Sequence, residues 1–267
     1  MAPTRYVAHR GGAALWPENS LLAFRNAIAA GARLLEMDVH QAADGAVVVI
    51  HDPTLDRTTN GSGPVAARTS ADLRALRLRD AGGALTEEWV PTLAEVLALA
   101  APAGVALLVE IKTPGPAVQY ARAEDGVRMT PGPRYQGLEQ RILDELAAAA
   151  VSERSMLMAF NPAVVAEVRA RAPRQGTVLL VDRHHVEKAG VRALEAVQWA
   201  ATAGVTYLGL HYTLCDAAVV DAAHSAGIGI GVFTVNDEAD MRRLADLGVD
   251  VIITDRADVI ARPPGGA

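Results

Sequence analysis

The 267-residue sequence predicts an α/β fold, a (β/α)8 TIM barrel with a small insertion after the second strand region. Three observations carry that prediction. Short apolar runs alternate with segments of helical period along the chain, the pattern of repeated βα units. The apolar runs are near-continuous, as in Val249-Asp250-Val251-Ile252-Ile253, which marks parallel strands covered by helices on their outer face. Polar side chains gather where the runs end, on the side of the sheet where such barrels place their chemistry. With this many units a closed sheet is favoured over an open, doubly wound one. The length suits one domain over residues 1–267, with an insertion over about 53–90 and an extended loop over about 113–137.

In chain order, strands are expected at 5–9, 33–39, 46–50, 105–112, 155–160, 176–181, 206–210, 228–235 and 249–254. Helices are expected at 20–30, 93–101, 138–149, 162–172, 191–203, 216–225 and 238–247, all rich in Ala, Leu, Glu and Arg. Gly31, Gly204, Gly227 and Gly248 each stand between a helix and the next strand, where a left-handed helix terminus belongs. Within the insertion a helical segment is expected at 70–78.

Composition narrows the function classes. A net charge of −6 with no basic run argues against a nucleic-acid partner and against an anionic-membrane patch. The lone Cys215 leaves no internal disulfide and no cysteine-based zinc site. The first strand follows Met1 almost directly, and no apolar run approaches the roughly 18 residues of a membrane span, so a soluble, cytoplasmic protein without an integral membrane segment is expected.

The densest chemistry lies between Glu36 and Asp52. Glu36 and Asp38 are two apart on one strand, so both project from the same face, with Cα atoms roughly 7 Å apart. Two like charges sharing a site are tolerable if a cation lies between them, if one is protonated, or if both reach water; a hard divalent ion is the simplest resolution. Asp44-Gly45 makes a tight turn, and the returning segment delivers His51-Asp52 near the carboxylates. Glu110 and Lys112 repeat the i, i+2 spacing on another strand, and His9-Arg10 ends the first.

His9-Arg10-Gly11, Pro17-Glu18-Asn19-Ser20, Glu36-x-Asp38, the run from His51-Asp52-Pro53 to Arg57-Thr58-Thr59, and Glu110-x-Lys112 together resemble the glycerophosphodiester phosphodiesterase family in order and spacing. The resemblance implies a (β/α)8 barrel that hydrolyses a glycerophosphodiester, its small-molecule substrate, to glycerol 3-phosphate and an alcohol. It implies His9 and His51 as the general acid/base pair, and Glu36, Asp38 and Glu110 as ligands of Mg²⁺ or Ca²⁺. It also implies that Arg10 and Lys112 hold the phosphate, with Phe233 where the family commonly has tryptophan before Thr234-Val235-Asn236. Imidazole titrates near neutrality and carboxylates suit hard ions, so the chemistry agrees. Other readings are a lyase resembling phosphatidylinositol phospholipase C or sphingomyelinase D, and a catalytically silent barrel that binds a phosphodiester. The insertion and Glu110-x-Lys112 favour hydrolysis, and the presence of both histidines argues against silence.

Several polar residues are read as structural. Asn19 and Ser20 form a helix N-cap, and His184-His185 fall in a solvated polar loop. His211, directly after its strand, is left open between the two readings. The 113–137 segment leaves the catalytic face, and its prolines with Tyr120, Met129 and Tyr135 suggest a partial lid whose aromatics meet the alcohol side of the substrate.

Overall fold

The computed structural model describes residues 3–123 and 126–261. The elements, in order, are β1 (Arg5–Ala8), α1 (Leu21–Ala29), β2 (Leu34–Gln41), β3 (Val47–Val49), α2 (Ser70–Arg74), α3 (Leu93–Ala100), β4 (Ala106–Ile111), β5 (Val118–Ala123) and β6 (Gly126–Pro131). They continue with α4 (Leu138–Ala148), β7 (Ser155–Ala159), α5 (Pro162–Arg171), β8 (Gly176–Val181), α6 (Arg183–Ala189), α7 (Glu195–Ala203), β9 (Tyr207–His211), α8 (Ala217–Ser225), β10 (Gly229–Phe233), α9 (Glu238–Asp246) and β11 (Val251–Thr254). Eight parallel strands, β1, β2, β4, β7, β8, β9, β10 and β11, form a ring that closes where Ala8 pairs with Leu35. The expected barrel is therefore present. β3 is not a stave: it runs antiparallel to the end of β2, with Val39 opposite Val49.

The helices begin where the sequence supplies a cap. Ser20 accepts from the Ala23 amide, Thr92 and Glu95 form a reciprocal capping box, and the Asp216 and Asp237 side chains accept from first-turn amides of α8 and α9. After β11 a single turn, Ala257–Val259, stands where an eighth helix would complete the outer ring.

Strand parity splits the core in two. On β2, Leu35, Met37 and Val39 join the large cluster beneath the helices, and Leu107, Val109 and Ile111 of β4 do the same. Val7, Leu108, Met158, Leu180 and Ile253 fill the barrel interior. Glu36, Asp38 and Glu110 take the interior parity at the C-terminal strand ends, so they rest on that apolar floor. The insertion builds its own small cluster, in which Leu55, Val65, Leu73 and Leu78 pack on Val48 and Ile50.

Three local expectations need correction. α2 is shorter than the expected 70–78 segment, because Leu78 turns away to bridge Thr59. The 113–137 segment carries the antiparallel hairpin β5–β6, which pairs Val118 with Pro131 and Tyr120 with Met129. Val118 and Tyr120 are buried while Gln119 and Ala121 are exposed, a period of two that the surrounding prolines obscure. His184-His185 lie on α6 rather than in a loop. Asp182 caps that helix, and Val186 and Ala189 bury one face of it.

Candidate active site

His9 follows β1 in a one-turn helix, His9–Gly11, whose tight return sets Arg10 at φ 50 and Gly11 at φ 80. A Cβ on Gly11 would lie 2.8 Å from the Ala23 Cβ and 3.0 Å from the Phe24 amide nitrogen, so glycine is required for α1 to pack on this turn. The turn aims the Arg10 amide at Glu36 Oε2 (3.0 Å) and the Arg10 side chain at Asp38 Oδ2 (Nε, 3.2 Å) and Glu18 Oε1 (Nη1, 3.0 Å).

Glu36, Asp38 and Glu110 each place a carboxylate oxygen so that all three lie within 4.8 Å of one another. Register makes this possible, since Asp38 and Glu110 are direct partners across β2 and β4. All three are buried, at 1 %, 0 % and 8 % exposure, which makes their charge a cost unless a cation offsets it. Lys112 Nζ lies 2.9 Å from Asp38 Oδ1 and also donates to Glu110. Burial would raise the Asp38 carboxyl, but Lys112 and Arg10 outweigh it and hold the group well below the usual carboxylate range. At Glu36 the balance reverses: burial first, and then repulsion from Asp38, push it up to about 8 against the pull of His9 and Arg10. Three hard oxygen donors with an unmet demand for positive charge fit Mg²⁺ or Ca²⁺, and the absence of a sulfur or imidazole donor in the trio disfavours zinc.

Each histidine has a carboxylate on Nδ1. His9 Nδ1 lies 2.6 Å from Asp255 Oδ1, and Asn236 Nδ2 donates to Asp255 Oδ2 at 2.7 Å. His51 Nδ1 lies 2.6 Å from Asp52 Oδ1, and Arg57 clamps Asp52 (Nε to Oδ2, 2.7 Å) while also reaching both oxygens of Glu18 at 2.8 Å. Nε2 is thus the nitrogen that each ring leaves to the mouth, and that of His9 lies 3.8 Å from Glu36. Burial would lower His9, yet Glu36 and Asp255 carry its pKa upward. For His51 burial is the largest cause; Asp38 opposes it, Lys112 and Arg10 add to it, and the net shift is downward.

The structure thus brings together His9, Arg10, Glu36, Asp38, His51, Glu110 and Lys112 at one end of the barrel. Phe233 stands nearby, lining with His9, Glu36 and Phe160 a recess of about 30 Å³. His211 stays apart from the carboxylates, with its Nδ1 2.8 Å from Thr213 Oγ1. Asn19 is more than a cap: Ser20 alone caps α1, while Asn19, 2 % exposed, donates to Asp38 Oδ2 (2.9 Å) and accepts from the Asp38 amide (3.3 Å). His40 also escaped the sequence reading. Its Nε2–H donates to the His51 carbonyl (3.1 Å) and its Nδ1 accepts from the Tyr135 hydroxyl (2.9 Å), tying the segment that carries His51 to β2. Its place two residues beyond Asp38, on the same strand face, was the available signal.

The glycerophosphoryl diester phosphodiesterase family matches residues 9–259, from the first candidate histidine to the turn after β11. A glycerophosphodiester phosphodiesterase of Caldanaerobacter subterraneus is 30 % identical over 263 residues, covering 96 % of each chain. The chain belongs to this family. It is accordingly a phosphoric diester hydrolase, which sets aside the lyase and silent-barrel readings. Among solved structures, a putative glycerophosphoryl diester phosphodiesterase from Silicibacter pomeroyi superposes with a TM-score of 0.82 at 28 % identity, covering 97 % of this chain and 93 % of that one. An Oleispira antarctica phosphodiesterase, solved in complex with the product sn-glycerol-3-phosphate, shares the fold at a TM-score of 0.73 and 23 % identity, over 97 % and 95 % of the two chains. No helix among the described residues is long and apolar enough to cross a membrane.

Proposed function

We propose that this family member is a metal-dependent hydrolase of glycerophosphodiesters, releasing glycerol 3-phosphate and an alcohol, with His9 and His51 as its proton carriers. The carrying observation is the pair of carboxylate-backed histidines at the barrel end that holds the three buried carboxylates. Glu36, Asp38 and Glu110 would hold Mg²⁺ or Ca²⁺, which when bound supplies positive charge to the phosphoryl oxygens.

The protein's own groups do the rest. Arg10 and Lys112 present cationic donors to the non-bridging oxygens as charge builds there. Asp255 and Asp52 hold each ring by Nδ1–H, so that Nε2 accepts a proton when neutral and donates one when charged. Over the reaction the P–O bond to the alcohol breaks and one to water forms. One imidazole takes the water's proton, and the other gives a proton to the departing oxygen.

Release of glycerol 3-phosphate from a panel of glycerophosphodiesters tests this, with chelator and with Mg²⁺ or Ca²⁺ restored. Activity should vanish on chelation and return with metal. Full turnover in metal-free protein, checked by elemental analysis, would remove the ion from the proposal.

A further inference from the structure

A second, far larger cavity, about 690 Å³, lies between residues 113–120 and α6. Its wall includes His51, Glu110 and Lys112, so it is continuous with the catalytic residues, and it is completed by Gln119, His185 and Lys188 from the hairpin and the helix. The recess beside His9 and Phe233, about 30 Å³, has no room for a substituent of any size. Small-molecule sites span roughly 300–1,000 Å³, so this cavity exceeds what a two-carbon amino alcohol needs.

The donors in the wall indicate the chemistry it accepts. His185 is 5 % exposed, wedged against Tyr120 (ring centroids 4.8 Å apart) and Phe160 (5.6 Å). Its Nδ1 accepts from the Asp182 amide (3.1 Å), which places the ring proton on Nε2, and Nε2–H has no partner among the described residues. Burial keeps the ring a neutral donor by pushing its pKa down to about 4. The Gln119 amide and the Lys188 ammonium likewise have no partner among the described residues. The carboxylates in the wall are already engaged: Glu110 accepts from Lys112, and Asp182 caps α6. A cationic alcohol entering this space would meet the Lys112 and Lys188 ammoniums, with Glu110 already paired to Lys112 and only Asp182, which takes the first amides of α6, as a further acid, whereas an alcohol bearing several hydroxyl oxygens would meet donors.

Resting on the phosphodiesterase reading above, we infer that this cavity is the leaving-alcohol subsite, that it takes a bulky polyhydroxylated alcohol of the cyclitol or sugar class, and that His185 Nε2–H determines that specificity. The test compares kcat/KM for glycerophosphoinositol with those for glycerophosphoethanolamine and glycerophosphocholine. The wild-type protein should favour the inositol diester at least about tenfold. His185→Phe, which keeps a ring against Tyr120, should lower that preference about tenfold, the worth of one donor hydrogen bond, mainly through KM. Gln119→Ala, at an exposed hairpin position that does not endanger folding, should lower it by roughly threefold. A wild-type preference for either amino-alcohol diester, or an unchanged preference in both folded variants, would overturn the inference while leaving the phosphodiesterase reading intact. Failure to release glycerol 3-phosphate from any of the three diesters would overturn both.

Discussion

The histidines at the mouth and those in the adjoining wall are held by different partners. His9 and His51 each keep a carboxylate at 2.6 Å on Nδ1, so the imidazolium has a counter-ion and the ring can gain and lose a proton. His40 and His185 sit at 1 % and 5 % exposure against a hydroxyl, a carbonyl, an amide and aromatic rings, and burial pushes both down to about 4. The two proposed proton carriers are thus partly exposed rings with an acid behind them, side chains 16 % and 32 % exposed, and the other two are deep rings with neutral partners. The mouth rings also differ from one another. Asp255 and Asn236 come from the ends of barrel strands, whereas Asp52 stands just before the insertion, Arg57 lies within it, and both are steadied through Glu18.

The largest effect should come from removing the mouth rings. His9→Ala and His51→Ala are each expected to lower kcat by on the order of 10²–10⁴ with folding retained, and the double variant should lose less than the product of the two. Wild-type turnover in either single variant would move that residue out of the mechanism.

A smaller effect should separate the two carboxylates. Asp255→Asn and Asp52→Asn keep shape but remove the charge behind each ring, and each should cost on the order of 10–10² in kcat with little change in KM. If circular dichroism shows both variants folded and their kcat values stay at the wild-type level, the contrast drawn between mouth and wall fails.

The smallest effect lies in the wall and is read as stability. An ordinary histidine takes its proton near pH 6.5, while folded His40 resists until about 4. Between those values the unfolded chain binds the additional proton, so stability falls as the pH is lowered through that window and is fully present above it. His40 should contribute on the order of 3 kcal/mol to this loss. Tyr135→Phe, which strips the hydroxyl from His40 Nδ1, should cost about 1 kcal/mol at neutral pH and narrow the pH window, seen as Tm against pH. A Tm flat from pH 7 to 4.5 would contradict the buried-neutral account of His40.

The sequence by itself determined the barrel and the identities of the mouth residues, because both follow from local regularities. Strand parity puts Glu36 with Asp38, and Glu110 with Lys112, on one face, and apolar runs separated by capped helices leave few topologies open. It determined less about what stands behind those residues. Asp255 stands at one of the polar strand ends, but 246 positions from His9, and Asn19 had an adequate local explanation as a cap, so the sequence named neither the ring nor the carboxylate that each would hold. α6 and the β5–β6 hairpin were hidden for a related reason. A seven-residue helix and two six-residue strands are too short for their period to stand out from the surrounding charges and prolines, and their burial comes from each other. Tyr120 was expected to meet the alcohol side of the substrate from a lid and instead stacks on Trp199 (ring centroids 4.7 Å apart), with His185 tilted against it. Packing between segments distant in sequence decides such contacts, and with them the shape of the cavity beside the catalytic residues.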